Sequence, residues 1–213
     1  MSDFSAGVFA LSKNKDKVYP FLTKKDLFIQ YNDQWVGKLS DTDYEERFQP
    51  QTIALSKEVP LLYIMNAEDH GFSMKILHDG NTTFQFELPY YAEAELAHEL
   101  GYELFGEEWL FEPDKLEQRS KQANEEAAKI LKEQGAPAIY FASINEENLK
   151  AFHVFDFSHD TLQEICEILT VENFVQGSHK MVFALLNCIG LTDFSFVAHS
   201  YVFTEDEDRF KVL

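Results

Sequence analysis

The residues best suited to chemistry are Glu95, His98 and Glu99, whose spacing places them on one face of a helix. Glu95 and His98 have the Glu-x-x-His spacing of helical di-iron carboxylate sites, but those sites need a second copy and two further glutamates. The chain has no second copy. His98 and Glu99 also begin like a zinc-protease motif, although Tyr102 stands where the second histidine is needed. The pattern therefore favours a solvated helix face, and we predict neither a metal nor another cofactor.

A second set of titratable residues, His153, Asp156 and His159, lies around the phenylalanines of residues 152–157. Such side chains can bind a metal or act as acid and base. A histidine between aromatic residues more often packs against them, however. We therefore predict that a histidine of this set packs between the aromatic residues.

The sequence gives no support to nucleophilic or nucleotide chemistry. Cys166 and Cys188 lie in apolar helical patterns, which predicts packed, reduced thiols rather than a nucleophile or a disulfide. The chain contains neither a glycine-rich phosphate loop nor a Gly-x-Ser-x-Gly turn. Residues 41–52 begin like a calcium loop, but Glu46 replaces the required glycine and Thr52 the bidentate glutamate. We predict no catalytic residue.

Negative charge is concentrated in two parts of the chain, whose formal net charge is −19. Residues 76–114 contain ten acidic residues and no lysine or arginine. Residues 151–213 contribute a further net −7, whereas the remaining segments are nearly balanced. Such a charge distribution excludes nucleic acid and anionic membrane surfaces as favoured partners. It favours a basic protein instead.

Aromatic residues are interleaved with the acids of residues 102–111. Rings of this kind can anchor a partner at the centre of an interface while the acids form its rim. They can equally be core residues with a solvated edge. The first interpretation predicts these partner-binding residues: Glu95, His98, Glu99, Tyr102, Glu103, Glu107, Glu108 and Trp109.

Length and composition predict a soluble, folded protein. The chain has 213 residues, of which 45% are hydrophobic, enough for a packed core. Residues 1–10 lack the basic residues and the long apolar run of a signal or transit peptide. The longest apolar stretch, residues 181–186, is far shorter than the roughly 20 residues of a membrane helix. These features predict a cytoplasmic location.

The first half of the chain is predicted to be rich in strands. The most distinctive pattern is a hairpin of residues 72–77 and 82–88, because Asp79-Gly80 suits a tight turn with positive φ. Further strands are predicted at residues 8–11, 18–22, 27–31, 35–39 and 59–65.

A helical period follows the hairpin, from Ala92 to Phe105. The next helix is predicted to begin at Pro113, a residue type favoured at first helical positions, and to end near Gln134. The apolar residues on the buried side of the first of these helices are Leu96, Ala97, Leu100 and Leu104.

The remaining chain is predicted to be mainly helical, with helices near residues 143–152, 161–169 and 178–189, the last buried on nearly all sides. Strands are predicted at residues 138–143 and 194–203. The predicted fold class is α+β, with antiparallel hairpins in the first half packed by helices and a helix-dominated second half. We predict a β-rich part of residues 1–112 and a mainly helical part of residues 113–213, with one continuous domain as the alternative.

Three functions are compatible with these patterns. The favoured one is a non-catalytic interaction protein of the immunity or inhibitor type, which binds a basic protein through its acidic, aromatic surface. The first alternative is a metal-dependent hydrolase that uses Glu95, His98 and Glu99, with a further ligand from His153 or His159. The second alternative is a binder of a small apolar ligand in an aromatic pocket.

Overall fold

The computed structural model describes residues 4–41, 48–67, 71–90, 92–106, 109, 113–134, 140–141, 144–195, 197–199 and 211–212. An antiparallel sheet of seven strands takes six of them from the first half of the chain. The strands are β1 (Phe4–Leu11), β2 (Leu27–Gln30), β3 (Trp35–Leu39), β4 (Leu61–Ala67), β5 (Gly71–His78), β6 (Asn81–Pro89) and β7 (Lys211–Val212). Their spatial order is β6-β5-β4-β1-β3-β2-β7.

Helices fill most of the described second half and connect the early strands. They are α1 (Lys15–Val18), α2 (Pro50–Ser56), α3 (Ala92–Phe105), α4 (Pro113–Gln134), α5 (Glu146–Leu149), α6 (His159–Ile168) and α7 (Val171–Cys188). Turns of 3-10 helix cover Ser12–Asn14, Tyr19–Phe21 and Lys150–Phe155. The predicted α+β fold class is confirmed.

Side chains alternate along the strands, so the sheet has a buried cluster on each face. Trp35 of β3 belongs to the larger cluster and its neighbour Val36 to the smaller one. The larger cluster includes Leu185 of α7, and therefore joins residues from both halves of the chain. The smaller cluster is completed by Val18 of α1 and Leu55 of α2. The predicted division at residue 112 stays a prediction.

The predicted hairpin is confirmed as β5 and β6. Asp79 and Gly80 both have positive φ, 52° and 76°, as a tight turn matched to strand twist requires. The predicted ends of α3 and α4 are also confirmed. These elements depend on local signals, which explains why the sequence locates them well.

The predicted strand at residues 18–22 is wrong. Val18 ends α1, and the following residues Tyr19–Phe21 form a turn of 3-10 helix. Pro20 cannot donate to a strand ladder and its fixed φ suits the first turn of a helix. Val18 is still buried, but it reaches the smaller cluster from a helix.

The predicted strand at residues 194–203 is also wrong within its described part, because residues 194–195 and 197–199 belong to no strand. Val197 nevertheless forms a backbone hydrogen bond with β1. The backbone N–H of Ala6 donates to the Val197 carbonyl at 2.8 Å, at a part of β1 that β3 does not reach. Residues 200–203 lie outside the described residues.

Two further predictions need correction. Tyr140 and Phe141 are helical, which contradicts a strand there, and the rest of residues 138–143 lie outside the described residues. Helix α7 begins at Val171 and is interrupted at Gly177 (φ 151°, ψ 102°). It is not buried on nearly all sides, because Phe183 is 40% exposed and Asn187 also faces solvent.

Candidate interaction surface

Helix α3 has a buried side and an exposed side. Ala97 and Gly101 are buried, and Ala97 packs in a small cluster with Ala123 and Ala127 of α4. At about 100° per residue, the opposite side carries residues 95, 98, 99, 102 and 103. We define the α3 face as the described, exposed members of this side, which are His98, Glu99, Tyr102 and Glu103.

The structure therefore brings four of the predicted partner-binding residues together on one exposed surface. Glu95 belongs to the same helix, but its side chain is not among those that the structure describes. Glu107 and Glu108 lie outside the described residues. Tyr102 is 40% exposed, a large exposure for an aromatic residue, and its ring meets that of His98 edge to face at 4.8 Å between centroids.

Trp109 differs from the other predicted partner-binding residues because only 4% of its surface is exposed. Its ring packs on α3 at Gly101, where an added Cβ would lie 2.4 Å from the indole. The ring centroids of His98, Tyr102 and Phe105 lie 6.0, 6.2 and 6.4 Å from that of Trp109. The indole thus packs behind the α3 face, and its ring is not accessible to a partner from solvent.

The predicted burial of Leu104 is wrong, since this residue is 48% exposed. Phe105 faces α4 in its place, and the guanidinium of Arg119 lies 5.3 Å from the centroid of its ring. Helix α3 then ends, and Gly106 continues the chain with φ 81°. Leu104 therefore adds exposed apolar surface to α3.

The carboxylates of the α3 face are not neutralised within the described part of the chain. Neither Glu99 nor Glu103 forms an ion pair with a described residue. The two are four residues apart, and like charges at that spacing weaken a helix by about 0.2–0.5 kcal/mol. A cation placed against this face would relieve that repulsion.

The hydrolase alternative stays a hypothesis, because the side chain of Glu95 is not among those that the structure describes. The described residues contain no group of three or more histidine, cysteine, aspartate or glutamate side chains placed to hold a metal. His153, Asp156 and His159 are exposed rather than packed, and Asp156 forms an ion pair with Lys13. The predicted packing of a histidine of this set between aromatic residues is therefore wrong.

Both cysteines are free. Cys188 is half-buried and packs against the larger cluster, whereas the predicted packing of Cys166 is wrong because Cys166 is exposed. Burial, together with the nearby carboxylate of Glu164, raises the pKa of the Cys188 thiol to about 11 from its ordinary value of 9.0. A thiol with so high a pKa is a poor nucleophile at neutral pH.

We expect Cys188 to react with iodoacetamide at pH 8 at least about tenfold more slowly than an accessible thiol of ordinary pKa, because its thiolate fraction is about a hundredfold lower and the greater nucleophilicity of a more basic thiolate offsets only part of this. Mass spectrometry of a Cys166→Ser variant over time measures the Cys188 rate, with a short unstructured cysteine peptide as the control. Equal rates for the protein and the peptide would contradict the assignment.

A buried ion pair joins Asp26 and Lys38 and was not predicted from the sequence. The carboxylate and ammonium groups are 2.9 Å apart, and the side chains are 0% and 1% exposed. Burial acts to raise the pKa of Asp26, but hydrogen bonds from the Thr23 backbone and Lys38, with the Lys38 charge, lower it below its ordinary value of 3.8. The sequence does contain a signal for this pair, because Lys38 is two residues from the apolar Val36 on β3 and therefore lies on the same face of the strand.

No helix within the described ranges has both the length and the apolar composition needed to cross a membrane. Comparisons of the chain with protein-family models, with curated proteins and with solved structures each found no match.

Proposed function

We propose that this protein binds a basic protein partner through the α3 face. The observation that carries the proposal is the combination of two carboxylates, Glu99 and Glu103, with the exposed ring of Tyr102 on one side of a helix. Interfaces commonly place an aromatic anchor at the centre and charged groups at the rim. The α3 face has this arrangement.

Electrostatics supports the identity of the partner. Residues 76–114 contribute net −10 to the chain and contain no lysine or arginine. Lys121 and Lys129 of α4 pair with acids of the same helix, Glu125 and Glu126. A negative field of this kind accelerates encounter with a positive protein surface and repels acidic ones.

The mode of binding follows from the helix geometry. The exposed residues of the α3 face lie at positions i, i+1, i+4 and i+5, so a partner groove can hold one side of the helix. Trp109 and Ala97 remain packed on the other side. We propose an inhibitor or immunity role, in which this helix covers a basic functional site of the partner.

Charge reversal at Glu99→Lys and Glu103→Lys is expected to weaken partner capture by about tenfold or more, since two favourable contacts become repulsive. The measurement is affinity capture of basic proteins from host lysate at low and at high salt, followed by binding assays with the purified partner. Wild-type capture is expected to decline steeply as salt screens the charges.

The matched control is Glu164→Lys with Glu167→Lys on α6, which changes the net charge equally at two exposed positions away from α3. It is expected to retain most of the binding. The proposal fails if no basic protein is captured at low salt, or if both variants lose binding to the same extent.

The apolar-ligand alternative is less well supported by the described aromatic residues. Many of their rings contact one another, as in the edge-to-face pairs Phe84 with Phe152 and Phe86 with Phe141. A co-purified ligand detected by native mass spectrometry would favour this alternative.

A further inference from the structure

The segment between β1 and β2 is rich in exposed lysine, in contrast with the net charge of −19 of the whole chain. Of 18 lysines and arginines in the protein, five lie within residues 13–25. All five are exposed, as is the neighbouring Tyr19. We define the lysine patch as Lys13, Lys15, Lys17, Tyr19, Lys24 and Lys25.

Acidic groups compensate only part of this charge. Asp16 is exposed within the stretch, Lys13 pairs with Asp156, and the ammonium group of Lys25 lies 4.0 Å from the carboxylate of Asp41. Within the described part of the chain, five lysines against these three acids leave a local excess of positive charge, whereas the chain as a whole has net −19. The sign of the net charge of the lysine patch is therefore opposite to that of the chain as a whole.

The first part of the patch is held on the sheet by its backbone and by an aromatic contact. The N–H of Ser12 donates to the carbonyl of Gln34 at 2.8 Å, and Val18 is buried in the smaller cluster. The ring of Tyr19 meets that of Phe28 edge to face at 4.8 Å, yet Tyr19 remains 45% exposed. The lysines of α1 thus flank a fixed, accessible ring.

The second part is a turn organised by the buried ion pair. The N–H of Asp26 donates to the Thr23 carbonyl at 3.1 Å, and the Thr23 N–H donates to the Asp26 carboxylate at 2.6 Å. That carboxylate is in turn held by Lys38. Lys24 and Lys25 occupy the two central positions of this turn, so the buried pair fixes the backbone that presents them.

We propose that the lysine patch binds a short acidic peptide segment of a partner protein. Lysine ammonium groups recognise carboxylates, and the ring of Tyr19 supplies an apolar contact beside them. Charges are screened beyond about 8 Å at physiological salt, so a short segment is attracted locally. A longer polyanion such as nucleic acid extends over the acidic remainder and is repelled.

The test is fluorescence anisotropy of a labelled peptide of about eight residues, built from aspartate and glutamate around one phenylalanine, at about 50 and about 300 mM salt. Binding is expected at the lower salt concentration and is expected to weaken at the higher one. The variant Lys24→Glu with Lys25→Glu is expected to weaken binding by about tenfold. The control, Lys121→Glu with Lys129→Glu on α4, is expected to change binding less than about twofold.

Three results would overturn the proposal. They are no binding of the acidic peptide at about 50 mM salt, an equal loss in the α4 control, and tighter binding of single-stranded DNA or phosphatidylserine vesicles than of the peptide. A Lys24→Gln and Lys25→Gln variant, checked by circular dichroism, separates loss of charge from loss of structure. None of these substitutions lies in the α3 face, so this experiment tests the lysine patch independently of the proposed function.

Discussion

Replacing Lys38 with methionine is expected to lower the free energy of unfolding by about 3–5 kcal/mol, because it leaves the buried carboxylate of Asp26 without its counter-ion. Equilibrium urea denaturation measures the change. The matched control is Lys57→Met, since Lys57 is exposed and its charge is solvated. We expect the control to change stability by less than about 0.5 kcal/mol.

The double variant Lys38→Met with Asp26→Leu distinguishes a lost ion pair from lost packing. Replacing both members of a buried pair by apolar residues is often neutral or stabilising, so the double variant is expected to recover most of the stability lost by Lys38→Met. Equal effects of Lys38→Met and Lys57→Met on the free energy of unfolding would show that the buried ion pair does not stabilise the folded protein.

Because of the same ion pair, the free energy of unfolding depends on pH in the acidic range. The folded-state pKa of Asp26 lies below its ordinary value of 3.8, so its stabilising contribution is complete above about that pH. The contribution is then lost as the pH falls through the folded-state pKa. Asp26→Asn is expected to flatten the acid limb of the stability curve below pH 3.8.

Gly101→Ala is expected to destabilise the packing of α3 on α4 by about 1–3 kcal/mol, although alanine is the better helix former by about 1 kcal/mol. The reason is steric, because the new Cβ would lie 2.4 Å from the indole of Trp109. Amide hydrogen exchange in α3 and α4 measures the loss, and tryptophan emission is expected to shift to longer wavelength as Trp109 becomes solvated.

The double-mutant cycle with Trp109→Ala provides the control. Once the indole is removed, Gly101→Ala is expected to be neutral or stabilising, as helix propensity predicts. A stabilising effect of Gly101→Ala in the presence of Trp109 would contradict the proposed packing of the indole. Weaker partner binding by Gly101→Ala would connect this packing to the α3 face.

Local patterns predicted the elements whose signals lie within a few residues. Asp79-Gly80 located the hairpin turn, and the helical period of α3 placed His98, Glu99 and Tyr102 on its exposed side. Short apolar runs were less informative, because the same run suits a strand or a helix. Residues 18–22 illustrate this ambiguity.

Features that depend on distant residues could not be predicted in this way. The burial of Trp109 requires the space left by Gly101 on a neighbouring helix. The pairing of Asp26 with Lys38 requires both side chains to be enclosed beside the smaller cluster. Leu104 has a buried position by helical period, but α4 contacts Phe105 instead. In each case tertiary packing decided the outcome.

The most direct test of the central claim is amide hydrogen exchange of this protein with and without its captured basic partner. We predict slower exchange throughout the α3 segment that carries His98, Glu99, Tyr102 and Glu103, with the protection lost as salt dissociates the complex. Protection confined to other elements, with exchange in α3 unchanged, would contradict the claim that this helix is the binding surface.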